Sequence, residues 1–250
     1  MSQVPGARSV RSASRFNPRP TGWDGASQPV ALRSDDVRAE FITRTYLHLF
    51  GAILAFTLLE TVYFKTGLAL PIARALLSTS WLAVLGGFVL VSWIASRVAH
   101  VAQAKAAQYG ALAGYVLAES IIFVPLLLIA QLEAPGVIES AALVTLVGFT
   151  ALTVVVFSTR KDFSFLGGLI AWCGVVALLI IVAGAVFGFE LGTFFSVAMI
   201  ALAGGAVLHD TSKVLNHFPE DRYVAAALEL FASVALMFWY VLRLYLSRRR

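Results

Sequence analysis

Asp210 stands between His209 and Thr211 where an apolar run ends, and Glu229 lies in the apolar run that follows. Glu119 sits in the middle of another such run, and Glu60 late in an earlier one. An ionised group at the centre of a membrane helix costs about 2.5–3.5 kcal/mol on insertion scales, so such acids face a bundle interior or are protonated, and are functional by default. Two carboxylates on neighbouring helices share a proton when close. Their oxygens also suit a hard cation such as calcium. The plainer reading is that Asp210 and Glu229 are solvated helix ends. Glu119 is a stronger site candidate than Glu60, which is near enough to a helix end to be wetted and to pair with Lys65.

These residues do not spell an enzyme. Intramembrane aspartyl proteolysis needs two aspartates in spanning helices, and Asp210 alone qualifies. His48 begins an apolar run without a Gly-x-Ser motif for a serine nucleophile. A zinc hydrolase needs about three protein ligands. His209, Asp210 and His217 are the available set, but positions 209 and 217 fall about 80° apart around a helix. No cofactor motif is present, and Cys173 is a lone cysteine, so neither a disulfide nor a cysteine metal cluster forms within the chain.

The elements that carry these acids are membrane helices. Of 250 residues, 59% are hydrophobic and 13% charged, and the mean hydropathy is +0.83. A soluble domain cannot hide that much apolar surface. Runs near 20 apolar residues are long enough to span a bilayer. Seven are expected: Tyr46–Phe64, Leu76–Val98, Ala107–Gln131 with Pro125 as a kink, Ser140–Ser158, Phe165–Phe187, Thr193–Asp210 with a polar extension to Leu215, and Tyr223–Leu246. Backbone amides find no water in hydrocarbon, and the runs lack strand alternation, so the fold is all-α. Gly86-Gly87, Gly167-Gly168, Gly204-Gly205 and Ala225-Ala226-Ala227 are candidates for close helix contacts.

Residues 1–41 carry six arginines among Pro, Ser and Gly and have no apolar centre. They read as a disordered cytoplasmic tail, dispensable as far as residue 38, ahead of a membrane domain at 42–250. The net charge of +5 belongs to loops and tails and implies no nucleic-acid partner. Arg97, Lys105, Arg160, Lys161, Lys213 and Arg222 mark three loops as cytoplasmic, on the side of the N-terminus. Lys65, Arg74 and the terminal Arg248-Arg249-Arg250 fall on the opposite side if all seven runs cross.

Three blocks resemble the Bax inhibitor-1 family. Residues 157–168, FSTRKDFSFLGG, resemble its basic turn between helices four and five. Residues 207–211, VLHDT, resemble its apolar–aromatic–Asp-Thr motif, with His209 at the aromatic place. Residues 221–224, DRYV, with ALELF at 227–231 and Phe238, resemble its last loop and helix. The resemblance runs from about Thr45 to Leu246. It implies seven helices with the last one central, and a proton-sensitive calcium leak gated by two aspartates on helices six and seven. Asp210 matches the first aspartate. Ser233 stands at the second, and Leu236 at an asparagine place one turn on. Glu229 lies one turn before Ser233, shares its face and is longer than Asp by a methylene, so it is the candidate to replace the missing acid.

The expected function is therefore a pH-sensitive calcium leak in a bacterial plasma (inner) membrane, with Asp210, Glu229, His209, Ser233 and Glu119 as ion-binding or pH-sensing residues. The alternative is a non-transporting modulator that binds a membrane protease or another membrane protein, as some members of the family do. Besides lipid and such a partner, a monomer is expected.

Overall fold

The computed structural model describes residues 28–247. Eight α-helices follow one another: α1 Asp35–Lys65, α2 Ala69–Ser78, α3 Trp81–Val101, α4 Lys105–Glu133, α5 Val137–Thr159, α6 Leu166–Phe187, α7 Thr193–Asn216 and α8 Tyr223–Ser247. All except α2 are long and apolar enough to cross a membrane. The chain is thus an all-α polytopic membrane protein with seven spans. Among them α8 is the most buried, and it packs against α1, α3, α4, α5 and α7. Its Ala225, Ala226 and Ala227 are fully buried, which lets neighbouring backbones approach.

Two sequence boundaries move. The second span starts at Trp81, because the apolar run before it is the separate short helix α2. The hydroxyls of Ser78 and Thr79 bond back to the Ala75 carbonyl, and the Thr79 backbone is extended, so the helix stops there. Ala69 and Ala73 of α2 are buried beside Val124 of α4, while Leu70 and Leu77 are exposed.

The larger correction is at the N-terminus. Residues 28–41 are not a featureless tail. Helix α1 begins at Asp35, with Asp35 and Asp36 in its first turn, where acids favour the helix dipole. Its 31 residues span about 46 Å, more than a hydrocarbon core of about 30 Å. Ahead of it, Val30–Leu32 form one 3-10 turn. The Val30 amide donates to the Phe218 carbonyl at 2.8 Å, and Pro29 pairs antiparallel with Pro219. The Val30 side chain is completely buried, and Arg33 meets Glu220 at 3.4 Å. An Arg-, Ser- and Pro-rich composition concealed a strap held by one apolar anchor. The remaining tail, residues 1–27, lies outside the described residues, as do Arg248, Arg249 and Arg250.

Loop contacts sort the bundle into two faces. Arg222 donates to the Ala102 carbonyl at 2.6 Å, and Lys105 bonds the Asp221 carbonyl. His217 faces Asp162 at 3.7 Å. The strap and the α3–α4, α5–α6 and α7–α8 loops therefore share one face, the strap face. At the other, far face, Arg243 donates to the Leu191 carbonyl and Ser247 meets Thr193, so α8 reaches the side of the α6–α7 loop. There Gly188, with φ +75°, closes α6 in a left-handed turn that suits glycine.

Of the glycine pairs, Gly86 and Gly87 meet nothing and are not contact points. Gly167 is a close approach: a Cβ there would lie 2.7 Å from the His209 ring.

Candidate functional site

Asp210 and Ser233 face each other across the α7–α8 contact. The Ser233 hydroxyl donates to the Asp210 carboxylate at 2.6 Å. Both residues project from helix interiors, so the backbone around them is fully bonded and their side chains are left to pair with each other.

Glu229 lies one turn earlier on α8, and like Ser233 it faces α7. Its own oxygens are turned to cations. Lys213 places its ammonium 2.8 and 2.7 Å from the two oxygens, and His100 at the end of α3 approaches to 2.9 Å. The other nitrogen of His100 faces the Ser96 carbonyl at 2.8 Å. Two acceptors on one ring match the doubly protonated imidazole, which donates from both nitrogens. Glu229 is thus tied to Lys213 and His100 in an ion-paired cluster that links α3, α7 and α8, while Asp210 beside it is bonded to Ser233.

Phe218 roofs this cluster. Its ring lies 5.2 Å from the Lys213 ammonium, 5.8 Å from the His100 ring and 6.4 Å from Phe41. Its carbonyl is the one that Val30 binds, so the strap is seated on the roof of the cluster.

His209 does not join Asp210 as a ligand. Its ring points at the α5–α6 turn, 3.4 Å from the Phe163 carbonyl and against Gly167. Ser212 anchors the same turn. Its hydroxyl accepts from the Phe163 amide at 2.9 Å and donates to Asp162 at 3.0 Å. The Ser164 amide, donating to Asp162 at 2.9 Å, holds that carboxyl below its ordinary value. His209, Ser212 and Asp162 therefore dock the basic turn onto α7.

Glu119 is separate from the cluster. It is buried on α4 and accepts from the Tyr115 hydroxyl at 2.8 Å. Glu60 is also buried, at 7% exposure, and neither of its oxygens has a hydrogen-bond partner, so the expected pairing with Lys65 is not made. Sequence inspection missed Lys213 and His100. Lys213 carried a signal, since it is three residues from Asp210 on the same helical face. His100 carried none, because a polar residue at a helix end reads as solvated.

The family model described as inhibitor of apoptosis-promoting Bax1 matches residues 38–250. This chain belongs to the Bax inhibitor-1 family. The strap at 28–34 precedes the matched region. Among relatives, the modulator of FtsH protease YccA of Escherichia coli K12 is 33% identical over 93 residues, 36% of this chain and 41% of YccA. The same protein in another Escherichia coli strain is described as an inner membrane protein. An uncharacterized protein of Pseudomonas aeruginosa, PA2604, is 32% identical over 114 residues, 44% of this chain and 50% of that protein. The chain spans half or less of the length of these curated relatives.

Proposed function

We propose that this Bax inhibitor-1 family protein modulates an FtsH-type membrane protease and is not gated as a two-carboxylate calcium leak. The observation that carries this reading is Lys213. Its fixed ammonium sits on both oxygens of Glu229, where an exchangeable cation would have to bind. Calcium takes about six to eight oxygen ligands, and among the described residues no group of three or more His, Cys, Asp or Glu stands together to hold a metal ion. An ion-paired cluster that joins three helices serves a fixed helix contact better than a mobile gate. The description of YccA as a protease modulator supports the same reading. In it the protein acts by contact, without catalysis or cofactor, as one domain that begins with the strap. It lies in a bacterial inner membrane with the strap face cytoplasmic.

The test is affinity purification from native membranes, joined to the turnover of a reporter substrate of the protease with and without this protein. Co-purification and altered turnover are expected. Absence of both, with calcium flux in proteoliposomes, would overturn the proposal.

A calcium leak is the second reading, and one contact favours it. Asp210 meets Ser233 where the family resemblance places an acid, with Glu229 nearby. Flux against pH for wild type, Asp210→Asn, Glu229→Gln and Ser233→Asp tests it. A response removed by Asp210→Asn and shifted by Ser233→Asp supports the leak; no flux in any variant ends it.

A further inference from the structure

Between α3 and α6 the bundle leaves a cleft of about 1140 Å³, beyond the roughly 300–1,000 Å³ of ordinary small-molecule pockets. Its walls are apolar, with Phe88, Ile122, Ile181 and Leu236 among them. Its floor carries Tyr115, Glu119 and Ser233, and its mouth Glu190, Thr193, Arg243 and Ser247. Ser233 and Arg243 are ten residues apart on α8, about 15 Å along the helix. That is half of a hydrocarbon core of about 30 Å. The cleft is one leaflet deep, with its polar mouth at the far face and Trp81, an interfacial residue type, at its edge.

We propose that this cleft is a phospholipid site for a zwitterionic aminophospholipid such as phosphatidylethanolamine. An acyl chain lies along the apolar walls and removes them from water. The headgroup is assigned by charge. Arg243 uses one N–H on the Leu191 carbonyl, and its guanidinium fork has further donors for a phosphate. The hydroxyls of Thr193 and Ser247, 3.4 Å apart, stand at the same mouth. Glu190 supplies the acid that an ammonium group requires. Among the described residues neither Arg243 nor Glu190 is in a salt bridge. A partner's spanning helix fits less well, because it would run the full membrane thickness and bring no phosphate to Arg243.

Native mass spectrometry of delipidated full-length protein, titrated with phosphatidylethanolamine, phosphatidylglycerol and diacylglycerol, tests the site. One phosphatidylethanolamine should bind at the lowest concentration and diacylglycerol at the highest. Glu190→Gln, at an exposed position, should erase the preference over phosphatidylglycerol. Arg243→Gln should weaken both phospholipids on the order of tenfold, the loss of a charge-assisted contact, and leave diacylglycerol unchanged. Gly174 lines the cleft and faces open space, so Gly174→Trp should block all three lipids while thermal unfolding confirms the fold. Equal binding of the three lipids to wild type, or unchanged binding to folded Gly174→Trp, overturns the proposal. So does a Gly174→Trp variant that loses a protein partner while keeping its lipid.

Discussion

The Ser233 hydroxyl stands 2.6 Å from the Asp210 carboxylate, so α8 meets this acid of α7 with a hydrogen-bond donor. Ser233→Ala leaves that carboxylate without its partner from α8. The expected cost is about 1 kcal/mol, the lower end for an unsatisfied acceptor, because Asp210 is half-buried. Asp210→Asn keeps an acceptor for Ser233 and costs less. Thermal unfolding in detergent ranks the two; equal losses would show that the hydrogen bond is not what matters.

Lys213 and Glu229 are 28% and 18% exposed. Breaking a fully buried pair costs about 3–5 kcal/mol, and partial wetting reduces this to about 1–3 kcal/mol for Lys213→Met. Replacing all three members, as Lys213→Met with Glu229→Leu and His100→Leu, leaves no stranded charge and recovers most of the loss. A triple variant less stable than Lys213→Met alone would contradict an ion-paired cluster.

Gly167→Ala drives a methyl into the His209 ring. Overpacking of this kind costs about 1–3 kcal/mol, against up to about 1 kcal/mol gained in helix propensity. The loss should vanish in a His209→Ala background, because the ring that clashes is gone. A loss that persists there would place the strain elsewhere.

Asp162 lies in the α5–α6 turn, outside the spans, and is half exposed, with His217 facing it at 3.7 Å. Its carboxyl is held below the ordinary value by the Ser164 amide. A lowered carboxyl stabilises the native state above the unfolded value of about 3.9 and ceases to do so as pH falls through the lower folded value. The docked turn should therefore hold near neutrality and loosen below about pH 4. Asp162→Asn should remove that acid-end step from a series of unfolding curves. An unchanged step would assign it to another carboxyl.

Val30 is fully buried against the roof of the cluster. Val30→Ala removes two carbons, about 1.5 kcal/mol at roughly 0.8 kcal/mol each. Deleting residues 28–34 should lower the unfolding temperature further, because Phe218 loses its cover. Unchanged unfolding of the deletion would mean that the strap adds no stability.

The spans were legible because hydrocarbon demands long apolar runs, and the polar extension of α7 to Asn216 follows the same run. Helix α2 was not, because its apolar face continues that of α3 and only Ser78, Thr79 and Ser80 separate them. The strap was hidden by composition, since one valine among arginine, serine and proline carries no periodicity. Asp210, Ser233 and Glu229 could be placed on facing helices from spacing and resemblance. Which cation Glu229 would choose depends on where α3 ends in space, and no local pattern records that.

Arg33 and Glu220, which meet across the strap, are 187 residues apart in the chain. During synthesis the strap leaves the ribosome before α1 to α8, and its seat on the α7–α8 loop is made almost last. It cannot dock until α7 has entered the membrane and turned back. The earliest described segment to be made thus completes the assembly, and a nascent chain stalled before Phe218 would still hold Val30 in water.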